Sequence, residues 1–349
     1  MASTGKKSLR EVRFGIIGAG VAAQTHAREL AKVSGAKLIS VLARDSEKAA
    51  AFVAAFSIPD AYTELDLFLS DRQLDAVIIT TPNGTHRDYA LAVAQAGKQV
   101  IIEKPLEISS CRAQQIIDAC KAAQVGLYVI YQRVFSQAAR QALADVQAGK
   151  LGKLLLVNIV DNQYRHHDYY QRAAWRGTHQ LEGGGCVITQ TTHLIDLAQY
   201  LLGPVSAVFA TTATHYHHIA TEDTAVALLQ FDNGVFATLS SSTAAYPGQR
   251  HLLTLSGTRG CIIINGEHDQ IVYRCCDQEG ETHSMPAAFS FADPQDPRDY
   301  PTHGQRIQLQ HITDALLRGE ISCDDRALLS VRVVEGIYRS AAQQRLIKL

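Results

Sequence analysis

Five short apolar runs, separated by segments of helical spacing, constrain the first part of this chain more than any other feature. They are Arg13 to Ile17, Lys37 to Leu42, Ala76 to Thr80, Gln99 to Glu103 and Leu127 to Tyr131. The intervening stretches Val21 to Val33, Ser46 to Phe56, Tyr89 to Gln95 and Ser110 to Ala123 carry apolar residues at helical intervals. A run that is apolar and β-branched throughout has no polar face to turn to water. It belongs in a parallel sheet covered by helices on both sides. An α/β Rossmann-type domain over residues 1–132 is therefore expected.

From about Gly152 the pattern changes. Lys153 to Val160 reads as a strand, followed by an aromatic and basic loop, Asn162 to Arg176, and the glycines Gly183 to Gly185. One helix, Val187 to Leu202, precedes six strands: Val205 to Ala213, Thr224 to Phe231, Val235 to Ser241, His251 to Leu255, Cys261 to Ile264 and Ile271 to Arg274. Asp232-Asn233-Gly234 supplies a tight hairpin turn between two of them. This half, residues 133–349, is expected to be α+β with a large, mostly antiparallel open sheet that binds substrate and joins subunits. Pro286 to Thr302 reads as a surface loop. Two helices, Gln305 to Leu317 and Arg326 to Gln343, close the chain and are free to pack back on the first domain. A length of 349 residues exceeds what one core usually fills, which agrees with two domains.

Composition narrows the partners. The net charge is −1 with no run of one sign, so no basic stripe exists for a nucleic acid backbone. The opening MASTGKKSLREV lacks the apolar core of a signal peptide, and no later stretch spans a bilayer. Seven cysteines (Cys111, Cys120, Cys186, Cys261, Cys275, Cys276, Cys323) never fall in C-x-x-C spacing, which fits reduced thiols in the cytoplasm. His166, His167, His215, His217 and His218 raise the question of a metal. His215 and His217 would share a strand face, but no acid or cysteine stands at ligand spacing, and no metal is expected.

Gly18-Ala19-Gly20-Val21-Ala22-Ala23 lies between the first strand and the first helix. Gly18 suits a tight turn, Gly20 lets backbone approach a pyrophosphate, and Ala23 allows close helix–strand packing. With Val21 and Ala22 these residues put unpaired helix amides against a dinucleotide. The second strand ends at Ala43 and Arg44, where an NAD enzyme usually places an acid for the ribose. A small residue followed by arginine suits a ribose phosphate, so NADP(H) is favoured. The alternative is NAD(H), with Asp45 as the ribose acid and Arg44 a solvated charge. Thr81, Pro82, Asn83 and His86 follow the third apolar run, and Glu103-Lys104-Pro105 follows the fourth. These are strand ends, where open α/β sheets bind ligands.

Together with YYQRAAWRGT, EGGGCVITQTTHLIDL, EDTAVALLQFDNG and SSTAAYPG, these motifs resemble the glucose–fructose oxidoreductase/inositol dehydrogenase (Gfo/Idh/MocA) family along nearly the whole chain. The resemblance implies an NAD(P)-dependent dehydrogenase or reductase that exchanges hydride with a secondary alcohol or ketone of a sugar, sugar derivative or cyclitol. It implies Lys104 and His193 as the proton-handling pair, with Glu103 and Lys104 beside the cofactor. Histidine titrates near neutrality, and a lysine can share a proton or steady an alkoxide. Substrate contacts are expected from Arg165, Tyr170, Trp175, Arg176, Thr189, Gln190 and His193. Many relatives carry an aspartate where this chain has Thr189, so no carboxylate can orient His193 from that position. Alternative outcomes on the same fold are a retained-cofactor enzyme that cleaves or epimerises glycosides, and a non-enzymatic dinucleotide sensor. A homodimer or homotetramer through the open sheet is the expected assembly.

Overall fold

The structure is a computed structural model describing residues 11–248, 251–265, 270–276 and 302–349. The expected loop Pro286 to Thr302 therefore lies outside the described residues, apart from Thr302. The chain divides into two compact units. One comprises Met1–Glu107, Cys111–Gln132 and Thr302–Asp325; the other comprises Ile108–Ser110, Arg133–Pro301 and Arg326–Leu349.

The first unit is built on six strands: β1 (Val12–Ile17), β2 (Ala36–Leu42), β3 (Asp60–Tyr62), β4 (Ala76–Ile79), β5 (Gln99–Glu103) and β6 (Leu127–Ile130). All pair in parallel, in the order β3-β2-β1-β4-β5-β6. Helices α1 (Val21–Leu30), α2 (Ser46–Phe56), α3 (Leu65–Ser70), α4 (His86–Gln95) and α5 (Ser110–Ala123) connect them. The strand order reverses between β1 and β4, which opens a crevice at their C-terminal ends. Every residue of β4 is buried, as a central strand with helices on both faces requires. β3, with 3 residues, and α3, with 6, are too short to show a periodic pattern in the sequence. A later helix of the same unit, His303–Leu317, packs Leu309, Ile312 and Leu316 into a core with Ala23, Ala27 and Leu30 of α1.

The second unit holds α6 (Gln137–Gln147), β7 (Leu154–Asn162), α7 (His167–Gln171), α8 (Thr192–Leu202), β8 (Val205–Ala213), β9 (Thr224–Phe231), β10 (Phe236–Ser242), β11 (Leu252–Gly257), β12 (Gly260–Asn265), β13 (Gln270–Cys276) and β14 (Ile347–Lys348). In chain order the helix His303–Leu317 is α9, and Arg326–Gln343, which belongs to this second unit, is α10. The eight strands run β13-β12-β11-β7-β10-β9-β8-β14. All pairs are antiparallel except β7 with β10, which is parallel. The mostly antiparallel open sheet expected from the succession of strands and the Asp232-Asn233-Gly234 turn is present.

One face of this sheet is dry. Ala225, Ala227, Leu229 and Phe231 of β9 point into a core shared with Leu194, Leu197 and Leu201 of α8 and Val333, Val334 and Ile337 of α10. The intervening side chains point the other way and leave Phe209, Val226, Leu228 and Phe236 exposed. Helix α6 went unread in the sequence, although Ala138, Ala139 and Ala142 form its buried stripe. Ser136 starts it, its hydroxyl accepting from the Ala139 amide at 3.1 Å. Among the described residues no helix is long and apolar enough to cross a membrane.

Candidate functional site

The first cluster forms where β1 turns into α1. Gly18 holds φ +108°, and a Cβ there would come within 2.6 Å of the Thr80 hydroxyl, so only glycine fits. Gly20 is the N-cap of α1, with no side chain capping the first amides. A Cβ on Gly20 would meet nothing within 4 Å. Uncapped amides facing open space, followed by exposed Val21 and half-buried Ala22, make a cradle that fits an anionic group such as a pyrophosphate. Ala23 is fully buried, as close helix–sheet packing demands.

At the end of β2, Ala43 is buried and its amide donates to Tyr62 O at 3.0 Å, while Arg44 is exposed. Asp45 caps α2, accepting from the Glu47 and Lys48 amides at 3.0 and 3.2 Å. The Lys48 amide is the main reason its carboxyl stays below the usual range.

Behind β4, the Thr80 hydroxyl donates to Ile17 O at 2.9 Å, and the Thr85 hydroxyl lies 2.8 Å from that of Thr81. Asn83 is buried. His86 corrects the sequence reading, which put it in contact with cofactor. Its ring is sealed, with Nδ1 2.9 Å from Pro105 O and Nε2 2.9 Å from Thr81 O. Burial depresses its pKa, and a neutral ring donates to only one of the two carbonyls. His86 thus ties the loop after β4 to the loop after β5 and leaves no ring atom for a ligand. Glu107, also sealed, meets Arg112 Nη2 at 2.8 Å, and the same Nη2 donates to Gly84 O at 2.7 Å.

Glu103 shows how Lys104 is held. One carboxylate oxygen lies 2.6 Å from His26 Nε2, and the other accepts from the Lys104 amide at 3.1 Å. Burial opposes ionisation of Glu103, but His26 and Lys104 more than offset it, and its carboxyl stays below the ordinary value. Glu103 is thus an anchor for the turn bearing half-buried Lys104. His26 escaped the sequence reading. The signal was its place on the stripe of α1 that buries Ala23, Ala27 and Leu30, where a polar residue needs a partner.

The second cluster lies wholly in the second unit. Three glycines lead into a π-turn, Val187–Thr191, and then into α8. Gly185 is obligatory: a Cβ there would sit 1.7 Å from Glu222 O. The Glu222 carboxylate accepts from the Gly185 and Val187 amides at 2.8 and 3.0 Å and from the Tyr338 hydroxyl at 3.0 Å. Thr189, Gln190 and His193 are half-exposed on a segment whose other residues are mostly buried. Gln190 Nε2 lies 3.4 Å from the Tyr169 hydroxyl, and its Oε1 has no partner among the described residues. Asp196 faces away from this surface, paired with Arg326 at 2.5 Å.

The aromatic loop divides differently from its expected roles. Tyr170 is buried, its hydroxyl 2.9 Å from Thr243 Oγ1 and its ring 4.7 Å from that of His217. Arg165 is buried as well, donating to Tyr164 O at 3.0 Å and to the Gln163 side chain. Gln163 in turn donates to Asp161 at 2.8 Å, and His251 lies between Asp161 and Arg133 at 3.5 and 3.3 Å. Burial pushes His251 down to about 4, so this chain runs through a neutral imidazole. Tyr170 and Arg165 are therefore inner struts, a correction to their reading as substrate contacts. Tyr169 takes the accessible position instead, its ring 3.9 Å beneath the guanidinium of Arg176, with half-buried Trp175 alongside. The sequence could not tell adjacent tyrosines apart, because α7 decides which one faces inward.

Glu182 also went unread. It is 1% exposed and accepts from the Thr189 hydroxyl at 2.7 Å and from the Gly177 amide. Burial pushes its carboxyl up to about 7, against the pull of these donors and of Arg176.

His215 and His217 stand in the turn after β8 rather than on a strand. Asp223 is close to both: it accepts the His215, Tyr216 and His217 amides at 2.9, 2.8 and 2.9 Å. His217 Nε2 lies 2.9 Å from Arg165 O. Among the described residues no three His, Cys, Asp or Glu side chains gather as a metal would need.

Comparison with known proteins gives two family matches. Residues 12–131 match the oxidoreductase family with an NAD-binding Rossmann fold, GFO_IDH_MocA, and residues 137–263 match a GFO/IDH/MocA C-terminal domain. A myo-inositol 2-dehydrogenase of Thermotoga maritima is 25% identical over 280 residues, 78% of this chain and 80% of that protein. An inositol 2-dehydrogenase of Rhizobium meliloti is 29% identical over 267 residues, 73% of this chain and 76% of that protein. The crystal structure of the WlbA dehydrogenase from Bordetella pertussis, in complex with NADH and UDP-GlcNAcA, superposes with a TM-score of 0.86 at 27% identity, covering 99% of both chains.

Proposed function

This chain belongs to the GFO/IDH/MocA oxidoreductase family, and from that premise we propose that it transfers hydride between NAD(P)(H) and a secondary alcohol or ketone carbon of a sugar, sugar derivative or cyclitol. The observation that carries the reading is the turn at Gly18 and Gly20, where uncapped helix amides face open space beside a strand end bearing a braced lysine. The substrate class follows the inositol dehydrogenases to which the chain is similar.

The dinucleotide, when bound, supplies or takes up the hydride. Gly18, Gly20, Val21 and Ala22 are proposed to hold its pyrophosphate, and Thr81, Pro82 and Asn83 to border it. NADP(H) is proposed over NAD(H), because the Asp45 carboxylate is engaged by two backbone amides and Arg44 is the exposed charge after β2. Oxidising an alcohol also releases a proton. Lys104 and His193 are proposed to handle it, the lysine steadying the developing alkoxide and the histidine taking the proton. Thr189, Gln190, Trp175 and Arg176 are proposed to contact the sugar, joined by Tyr169.

The test is Lys104→Met, assayed on a panel of sugars and cyclitols with both dinucleotides. Turnover should fall by about a thousandfold, while NADPH binding followed by fluorescence persists. Undiminished turnover would remove Lys104 from the chemistry. Tight NADPH binding by the unaltered protein without turnover of any panel member would favour a sensor. A cytoplasmic location is proposed from the scattered cysteines, and the exposed apolar face of Phe209, Val226, Leu228 and Phe236 supports the further proposal of a homodimer or homotetramer joined through this sheet. A monomer in sedimentation velocity would exclude it.

A further inference from the structure

The half-exposed face of the His193 helix carries no carboxylate of its own, yet one reaches it from behind. Glu182 arrives on the loop before the glycines, buried, with its Oε1 2.7 Å from the Thr189 hydroxyl and its Oε2 taken by the Gly177 amide. Both groups lie in the second unit, and Thr189 stands between a sealed carboxylate and an accessible surface.

A threonine hydroxyl has one proton and two acceptor lone pairs. While Glu182 is ionised, that proton is committed to the carboxylate, and Thr189 can only accept a hydrogen bond on its other side. Once Glu182 gains a proton, the carboxylic acid can donate to the threonine oxygen, and the Thr189 proton is released to point outward. We propose that Glu182 is a positioning residue that sets the hydrogen-bond polarity of Thr189, so that the site favours an alcohol substrate when Glu182 is ionised and a ketone when it is protonated. This rests on the functional reading above, in which Thr189 faces substrate.

The chemistry is balanced by one proton exchanged with water. Before the reaction an alcohol can rest its O–H on an accepting Thr189 and then hand that one proton to His193 as the hydride leaves, whereas a ketone oxygen can only receive from a donating Thr189. The groups around Glu182 make the equilibrium accessible. Burial opposes its ionisation and Glu222 adds a like charge, while the Gly177 amide, Thr189 and Arg176 favour the carboxylate. The phenols of Tyr169 and Tyr170 complete its surroundings. The balance sets its carboxyl at about 7, within the working range of an enzyme.

The experiment measures KM against pH in both directions, using the alcohol the panel turns over fastest, with myo-inositol as first probe, and its matching ketone. In the unaltered protein, KM for the alcohol should fall as pH rises through about 7, and KM for the ketone should rise. Glu182→Gln can present its amide N–H to Thr189 and so mimics the protonated state at every pH. It should raise the alcohol KM about fivefold at pH 8, the equivalent of one hydrogen bond, and flatten both profiles while kcat changes less. Thr189→Val should abolish the pH dependence and raise both KM values. Melting temperatures check that each variant is folded. If Glu182→Gln keeps the opposed KM profiles, or if the unaltered protein lacks them, the polarity assignment is overturned. That outcome differs from failure of the reaction itself, which Lys104→Met reports.

Discussion

At the turn from Gly18 to Gly20 the first unit offers backbone amides and an open approach. At the helix beginning with the π-turn from Val187 the second unit offers side chains braced from behind by buried carboxylates. The first arrangement needs the absence of side chains: Gly20 faces open space, and Gly18 occupies a conformation that other residues resist. The second needs their presence. Glu222 holds the start of the helix, Glu182 holds Thr189, and Arg133, His251, Asp161, Gln163 and Arg165 form a buried polar chain under the aromatic loop. Backbone amides do not titrate near neutrality, whereas buried carboxylates and imidazoles do. At these two sites, therefore, sensitivity to pH belongs to the helix of the second unit, where Glu182 sits at about 7, and tolerance of a methyl group to the glycine turn of the first.

The largest test of that contrast is Gly185→Ala. Its Cβ would stand 1.7 Å from a backbone oxygen of Glu222, so the helix start must move and three hydrogen bonds to that carboxylate are disturbed. Urea unfolding should show a loss of about 3 kcal/mol or more. A variant as stable as the parent would mean the glycine turn is not wedged against Glu222.

Asp145→Asn probes the charged interior one step down. Asp145 is sealed and meets Arg274 at 2.5 Å and Lys150 at 2.9 Å. The Arg274 bond, opposed by burial and aided by Lys150, holds its carboxyl at about 2 against the ordinary 3.8. A carboxyl depressed on folding stabilises at pH above its unfolded value, and that contribution is lost as pH falls through the folded one. The variant should lose about 2 kcal/mol at pH 7. The gap to the parent should close between about pH 4 and pH 2. A gap independent of pH would show that the ion pair is not its source.

The smallest effect belongs to Gly20→Ala. Its backbone, φ −79° and ψ −170°, is open to alanine, and the new methyl meets no protein atom. Melting should be unchanged, while the Kd for NADPH should rise about tenfold, near 1.4 kcal/mol, because the methyl enters the cradle. Unaltered affinity would move the pyrophosphate away from this turn.

The same contrast explains what could be read from residues alone. The glycine turn and the strand ends bearing Thr81 and Lys104 were legible because backbone geometry leaves its mark in spacing. The strands of the second sheet were legible too, through their hairpin-like breaks and the turn Asp232-Asn233-Gly234. What stayed hidden depends on partners far along the chain. His26 and Glu103 are separated by 77 positions, and Glu222 reaches a turn 37 positions earlier. The parallel pairing of β7 with β10 leaves no local mark either, since register between distant strands is settled by packing. Tyr169 and Tyr170 are chemically alike, and only the direction of α7 separates a ring that faces outward from one locked against Thr243.

The helix His303–Leu317 belongs to the first unit although most of the second unit precedes it in the chain. A gene fragment ending near residue 132 would encode the whole parallel sheet yet leave α1 without the lid of Leu309, Ile312 and Leu316. The two units are thus spliced rather than strung in series. Exchange of either half between relatives requires a cut-and-return at both ends of α9, because a single crossover would pack the α1 of one parent against the α9 of the other.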